Sequence, residues 1–410
     1  MQQRINFLTN EFLDRVLRHP ELRKRPILSL SSTAAVLALL LTWLVYAFPG
    51  TSLLLNPFAA NIVGNSSLIV IEPETGTVTS PMAVGNDQAA SGGKYIFTTV
   101  TDPSLLPAPP PPPNPPPPPP GNDPIIAVGG DVACPAGSAI TSTNCQQQAT
   151  ANLISAMSPF PSAILAPGDL QYSDSTTAEI QGGYAPSWGI SSLKNITHPT
   201  AGNHEYHVGN AADYFTYWGS AAGTQGQGYY SYNVGTWHII ALNSNCSNMS
   251  SGQYPRGTLT SDLIDCNAQN TWLQQDLTAH PATCTLAYWH HSLFSSGSSG
   301  GPSTWMRPLF ATLYNANADL VLSGHDHFYE RFAPMDSNGN LDNSRGIREI
   351  IVGTGGRGFH AFGSTGANSL IRNNVTFGIL KLTLHPSSYD WQFIPAAGGT
   401  FTDSGTGTCH

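Results

Sequence analysis

Apolar residues in this chain gather into short unbroken runs, and each run ends in a polar loop. IIAVGGD ends at Asp131, AILAPGD at Asp169, HPTAGNH at His204, TLAYWHH at His291 and DLVLSGHDH at His327. Continuous runs without period-two alternation predict strands buried on both faces. Between them, NTWLQQDLTAH and the stretch from Trp305 to Tyr314 carry the spacing of amphipathic helices. Past Arg348 the pattern changes, and REIIVGTGGRG, FGILKLTLH and SYDWQFIPA read as antiparallel strands. The whole predicts a layered α/β domain over residues 125–410. Its Asp, Asn and His residues collect at one edge of the sheets, where ligands of α/β folds bind.

The N-terminal part follows other rules. Residues 1–26 are basic, and Phe7, Leu8, Phe12, Leu13, Val16 and Leu17 fit a helix lying on an inner leaflet, or an ordinary helical tail. Residues 27–48 contain no charge, and a helix of that length spans roughly 30 Å of hydrocarbon. Arg4, Arg15, Arg18, Arg23, Lys24 and Arg25 precede it, and the next basic residue is Lys94. That asymmetry predicts a transmembrane anchor with the bulk of the chain outside the cytoplasm. A signal peptide, cleaved to release a secreted protein, is the competing reading. Residues 49–106 lean towards β structure, with Ser67–Val78 and Ser91–Val100 as two strands. The string from Glu74 to Phe97 resembles the opening strands of carbohydrate-binding jelly-roll modules, which would imply a cell-wall glycan partner. It covers only part of such a module, too little to close a core, so a small β spacer is expected. Residues 107–124 contain PAPPPPPNPPPPPP, a polyproline II rod that acts as a stiff linker.

A net charge of −9 with few charged residues excludes the basic stripes of a nucleic-acid binder. It leaves phosphorylated ligands open, because bound cations can supply positive charge locally. All six cysteines lie beyond residue 48, and an even number on an oxidising side reads as disulfides. The expected pairs are Cys134–Cys145, Cys246–Cys266 and Cys284–Cys409. His198, His207, His238, His280 and His385 stand outside any motif and read as surface or satisfied core residues.

The five strand ends, and above all GDLQY (168–172), GNHE (202–205) and GHDHFYER (324–331), resemble the calcineurin-like metallophosphoesterases, more narrowly the purple acid phosphatases. The resemblance spans nearly all of residues 125–395 and implies a sandwich of two mixed β-sheets flanked by helices. It also implies two metal ions held about 3.5–4 Å apart, which clamp a phosphate ester and lower the pKa of a bound water. By the same resemblance, Asp131, Asp169, Tyr172 and His327 hold the first metal. Asp169 bridges to the second, which Asn203, His290 and His325 complete. A phenolate from Tyr172 implies Fe3+ in the first site, with Fe2+, Zn2+ or Mn2+ in the second. His204 matches a residue that contacts substrate and protonates the leaving oxygen; a supporting role for Asn203 is the alternative. His291 is left to touch substrate or to support the ligands, with a swap of the two adjacent histidines open. Many metallophosphoesterases carry D-x-H at the first motif. Here Ala133 stands where that histidine would be, which agrees with a tyrosine ligand at 172, although Tyr172 also reads as a turn residue. Asp326 is a candidate to orient an imidazole, and Tyr329, Glu330 and Arg331 to anchor the histidine loop. Arg357 and His360, in the glycine-rich GTGGRG region, read as turn residues or as substrate contacts.

The function implied is an extracytoplasmic phosphatase that hydrolyses phosphate monoesters through a metal-bound hydroxide. Two rivals remain at this level. One is a phosphodiesterase with the same dimetal core. The other is a wall- or glycan-associated binding protein whose metal site is not catalytic.

Overall fold

In β3 (Ile125–Val128), β4 (Ala163–Pro167) and β5 (Thr197–Thr200), successive side chains point to opposite faces and nearly all are buried. Ile126 and Val128 face a second sheet, while Ala127 faces helices. This double burial is the reason that the runs lack alternation. The computed structural model describes residues 83–86, 94–97, 123–247 and 264–410. The chain divides into two units, Met1–Pro110 and Pro111–His410. In the first, β1 (Ala83–Asn86) pairs antiparallel with β2 (Lys94–Phe97). The stub, the apolar segment 27–48, the strand expected at 67–78 and the polyproline rod lie outside the described residues. Among the described residues, no helix is long and apolar enough to cross a membrane.

The second unit is mixed α/β and contains two mixed sheets. After β5 come β6 (Tyr230–Val234), β7 (Trp237–Ala241), the short pair β8 (Cys246–Ser247) and β9 (Ile264–Asp265), then β10 (Cys284–His291), β11 (Leu320–Gly324) and β12 (Tyr329–Phe332). The chain ends through β13 (Arg348–Val352), β14 (Ser369–Asn373), β15 (Gly378–Leu384), β16 (Ser388–Pro395) and β17 (Ser404–Thr408). One sheet has the order β14-β12-β13-β11-β10-β7-β6 and the other β17-β16-β15-β3-β4-β5. Leu165, Trp237, Ile239, Leu286, Leu322, Ile350, Leu380 and Phe393 fill the space between them. Each such fully buried side chain contributes roughly 1.5–3 kcal/mol. The outer faces pack on helices, among them Gln147–Ser155, Cys266–Ala279 and Arg307–Asn315, the last through Leu309, Phe310 and Leu313.

One expectation is corrected. β13 runs parallel to β11 and antiparallel to β12, so the REIIV run belongs to the mixed sheet and not to an antiparallel tail. β15 and β16 are antiparallel as read. The cysteines pair as Cys134–Cys145, Cys246–Cys266 and Cys284–Cys409. The last bond ties the C-terminal end to the start of β10.

Candidate metal centre

The parallel strands β3, β4 and β5 of one sheet and β10 and β11 of the other deliver their C-terminal ends to one place. Asp131 follows β3, Asp169 follows β4, Asn203 and His204 follow β5, His290 is the penultimate residue of β10, and His325 and His327 follow β11. The backbone turns sharply there. Asp131, Asp169 and His325 adopt φ of 59°, 50° and 68°. Such left-handed conformations cost non-glycine residues roughly 1–3 kcal/mol each and persist where surrounding structure enforces them. Glycine is required beside them: a Cβ on Gly202 would sit 2.1 Å from Asp169 Oδ1.

Buried carboxylates enforce these turns. Glu205 accepts the backbone N–H of Asp169 at 2.9 Å, of Leu170 at 2.9 Å and of Gly202 at 2.6 Å, and the Ser175 hydroxyl at 2.8 Å. It thereby ties the GD loop to the GNH loop. Burial and then the nearby Asp169 raise its carboxyl above the usual range. Glu349 accepts from Leu293 and Phe294, and Glu330 from Ser296, fixing the loop after β10. Tyr329 and Arg331 both bond Asp403, so the residues after the histidine loop are anchored. Asp326 lies 3.5 Å from His360 Nδ1, and the His360 ring stacks on His327 at 3.7 Å.

The functional atoms fall into two abutting groups. Tyr172 Oη lies 2.9 Å from Asp131 Oδ1, 3.0 Å from Asp169 Oδ2 and 2.9 Å from His327 Nε2. His290 Nε2 lies 3.2 Å from each of Asn203 Oδ1, Asp169 Oδ2 and His325 Nδ1. Asp169 belongs to both groups. The outer ring nitrogens are held from behind: His290 Nδ1 donates to the Pro167 carbonyl at 2.8 Å and His327 Nδ1 to the Gly358 carbonyl at 2.6 Å. That assigns the proton to Nδ1 and aims the Nε2 lone pair inward, the arrangement of imidazole ligands.

These atoms fit metal ions. The Tyr172 hydroxyl has one proton but faces two carboxylates and an imidazole nitrogen, so one hydrogen bond cannot satisfy the group. Donor separations of 2.9–3.2 Å match the edges of a coordination shell with bonds of about 2.0–2.1 Å. Electrostatics point the same way. Burial would raise the Asp169 carboxyl, but His290 and His204 hold it well below the usual range. Against its own burial, His290 is pushed up to about 9 by Asp169. Burial, then Asp131 and Asp169, push the Tyr172 phenol well up, and only a multivalent cation beside it would favour the phenolate.

His204 sits at the rim. Its backbone N–H donates to Asp169 Oδ1 at 2.9 Å, its Nδ1 donates to the Ser173 carbonyl, and its Nε2 lies 3.8 Å from Asp169 Oδ2 with 23% of the side chain exposed. His207, which no motif singled out, shares the Ser173 carbonyl. His291 is not brought to the opening. It is fully buried, with Nδ1 2.8 Å from Ser244 Oγ and its ring behind His325 and against Trp305. Burial, then His325 and His290, push its imidazole well down. A cavity of about 540 Å3 opens beside His327, lined by Thr143, Asn144, Arg357, Phe359, His360 and Asn374 among others. Arg357 is half-buried, stands 5.0 Å from the centre of the Tyr172 ring, and has no carboxylate partner among the described residues.

Residues 126–329 match the family model described as Calcineurin-like phosphoesterase. An acid phosphatase of Aspergillus ficuum is 29% identical over 155 residues, which are 32% of this chain and 25% of that protein. An uncharacterized protein of Mycobacterium tuberculosis is 28% identical over 190 residues, 38% of this chain and 35% of that protein. The aligned region therefore spans only a quarter to a third of the length of these relatives. Among solved structures, a purple acid phosphatase from yellow lupin (Lupinus luteus) seeds superposes with a TM-score of 0.50 at 18% identity. It covers 70% of this chain and 53% of that one, a likeness of fold.

Proposed function

The chain carries a calcineurin-like phosphoesterase domain, and from that premise we propose that it is a binuclear phosphatase of the purple acid type, acting on small phosphate monoesters outside the cytoplasm. The observation that carries this reading is the pair of abutting donor groups that share Asp169. Asp131, Asp169, Tyr172 and His327 would hold one ion, iron where the phenolate binds. Asp169, Asn203, His290 and His325 would hold the other. Two such ions supply charge for the phosphoryl oxygens, a more acidic water and stabilisation of the leaving oxygen.

The chain's own groups do the rest. His204, anchored through Nδ1 and with a partly exposed side chain, stands where it can hand a proton to the departing alkoxide. Arg357 offers a guanidinium with no carboxylate partner to an anionic substrate entering the cavity. His360 closes the same cavity against the His327 ring, and Asp326 holds it there. The three disulfides support an oxidising compartment.

The test compares hydrolysis of p-nitrophenyl phosphate and bis(p-nitrophenyl) phosphate by full-length protein reconstituted with iron plus zinc or manganese. Dominant monoester cleavage is expected. Dominant diester cleavage would overturn the substrate class while leaving the metal centre standing. Absence of both activities in metal-loaded protein would overturn the enzyme reading.

A further inference from the structure

A second group of side chains of metal-ligating type lies at the other end of the seven-stranded sheet. It consists of His238 near the start of β7, Asp276 in the last turn of the helix Cys266–Ala279, and His280 immediately after that helix. Opposite His238 on β10 is Thr285. At the usual strand rise, Thr285 is about 16 Å along β10 from His290. The cluster is therefore separate from the centre described above, and nothing in it depends on the phosphatase reading.

Its geometry asks for a cation. His238 Nδ1 lies 3.0 Å from Asn233 Oδ1, and its Nε2 lies 2.9 Å from Asp276 Oδ2. His280 Nδ1 lies 3.0 Å from both Asp276 Oδ1 and the Asp276 backbone carbonyl, and the Ser231 hydroxyl donates to that Oδ1 at 2.7 Å. If His238 donates its Nδ1 proton to Asn233, its Nε2 lone pair faces a carboxylate oxygen. Either a second proton or a metal ion must relieve that contact. The two rings lie nearly parallel, with centroids 5.2 Å apart. His238 is 2% exposed, so its donor atom is withdrawn from water, while the His280 side chain is 27% exposed and leaves an entry path.

Three further points favour a metal. The nitrogen–oxygen separations match the spacing of ligands around an ion with bonds of about 2.0–2.1 Å. Asn233 stands behind His238 as an orienting partner of the kind that ligating imidazoles use. The cluster sits at a helix C-terminus, whose partial negative charge favours a cation. Two imidazoles and one carboxylate suit zinc and its transition-metal neighbours, not calcium or magnesium.

We propose that His238, Asp276 and His280 form a mononuclear site for a zinc-class divalent cation. The bound ion would clamp the last turn of the helix Cys266–Ala279 to the β6–β7 hairpin, which forms the edge of its sheet. Its role would be to stabilise this edge, apart from the chemistry at the metal centre.

The probe is Zn2+ itself, added to metal-stripped full-length protein. Bound zinc is counted by atomic emission after desalting, and melting is followed with and without zinc. His280→Ala is expected to bind about one zinc ion per chain fewer than wild type and to lose part of the zinc-dependent rise in Tm. Turnover of p-nitrophenyl phosphate should stay within about twofold, because the cluster lies far from the centre. An unchanged zinc count and an unchanged rise in Tm would overturn the proposal and leave a proton between His238 and Asp276. A variant that fails to fold does not decide the matter, so wild-type protein supplies an independent reading. Zinc should protect His280 from carbethoxylation by diethyl pyrocarbonate, read by peptide mass spectrometry. Labelling of His280 at the same rate with and without zinc would equally overturn it.

Discussion

Replacing Glu205 by Gln tests whether a buried carboxylate, and not the ligands alone, sets the geometry of the centre. Glu205 Oε2 accepts from Asp169 N and Gly202 N; Oε1 accepts from Leu170 N and the Ser175 hydroxyl. A glutamine of the same shape keeps one oxygen. Its cheapest orientation leaves that oxygen on Asp169 and Gly202 and turns the NH2 towards Leu170 and Ser175. The serine hydroxyl can rotate to accept, but the Leu170 amide cannot. One buried N–H is stranded, at a cost of about 1–3 kcal/mol. The two remaining bonds lose their charge assistance, roughly half their strength. Removing a negative charge beside Asp169 offsets part of this, since Asp169 already raises the Glu205 carboxyl. The net loss should be about 2–3 kcal/mol, read as a lower urea midpoint in metal-free protein. At this size each kcal/mol lowers Tm by about 2 °C, so a fall of about 4–6 °C is expected. Because the Asp169 and Asn203 loops lose their common tie, metal affinity should fall about 10–100-fold. A metal-free midpoint equal to that of wild type, together with unchanged metal affinity, would refute the reasoning.

Three other outcomes follow from the same structure. Arg357→Met should lower kcat/KM for p-nitrophenyl phosphate about 10–100-fold, the loss of one charge-assisted contact; an unchanged value would remove Arg357 from substrate binding. Removing both members of the Cys284–Cys409 bond, which closes a loop with a sequence separation of 125, should cost about 3–5 kcal/mol in a denaturant titration. His385 bonds Asp123 through Nδ1 at 2.6 Å and Asp390 through Nε2 at 3.1 Å, and these bonds raise its imidazole above the ordinary value. A raised folded pKa gives stability that is complete below the unfolded value of about 6.5 and is lost as pH rises through the folded value. The Tm advantage of wild type over His385→Asn should therefore be present at mildly acidic pH and shrink above neutrality; an advantage that grows with pH would contradict the assignment.

What the sequence disclosed is what local pattern can encode. The runs before Asp131, Asp169 and His325 announced buried strands because both faces of each strand are covered. The loops announced candidate ligands because their polar residues lie at the strand ends or within a few residues of them. Long-range pairing had no such signature. β3 joins β15 across most of the domain, and β13 sits beside β11 in a parallel register that REIIV, read alone, does not distinguish from an antiparallel one. The supporting carboxylates were hidden for the same reason. Glu205 stands inside a motif that was read, yet its partners are backbone amides of a loop that precedes it by a strand, and a backbone amide leaves no mark in a sequence. His291 shows the converse. Its place beside His290 left a substrate contact open, but the two rings, with centres 4.8 Å apart, have different partners. One turns to Asp169 and Asn203, and the other to Ser244 and Trp305. His238 and His280 extend the argument. Neither belongs to a motif, and only the packing of the helix Cys266–Ala279 on the β6–β7 edge places them on one carboxylate. Motif residues thus mark where this chain's chemistry is concentrated, while the groups that hold or supplement it are defined by packing between segments far apart in sequence.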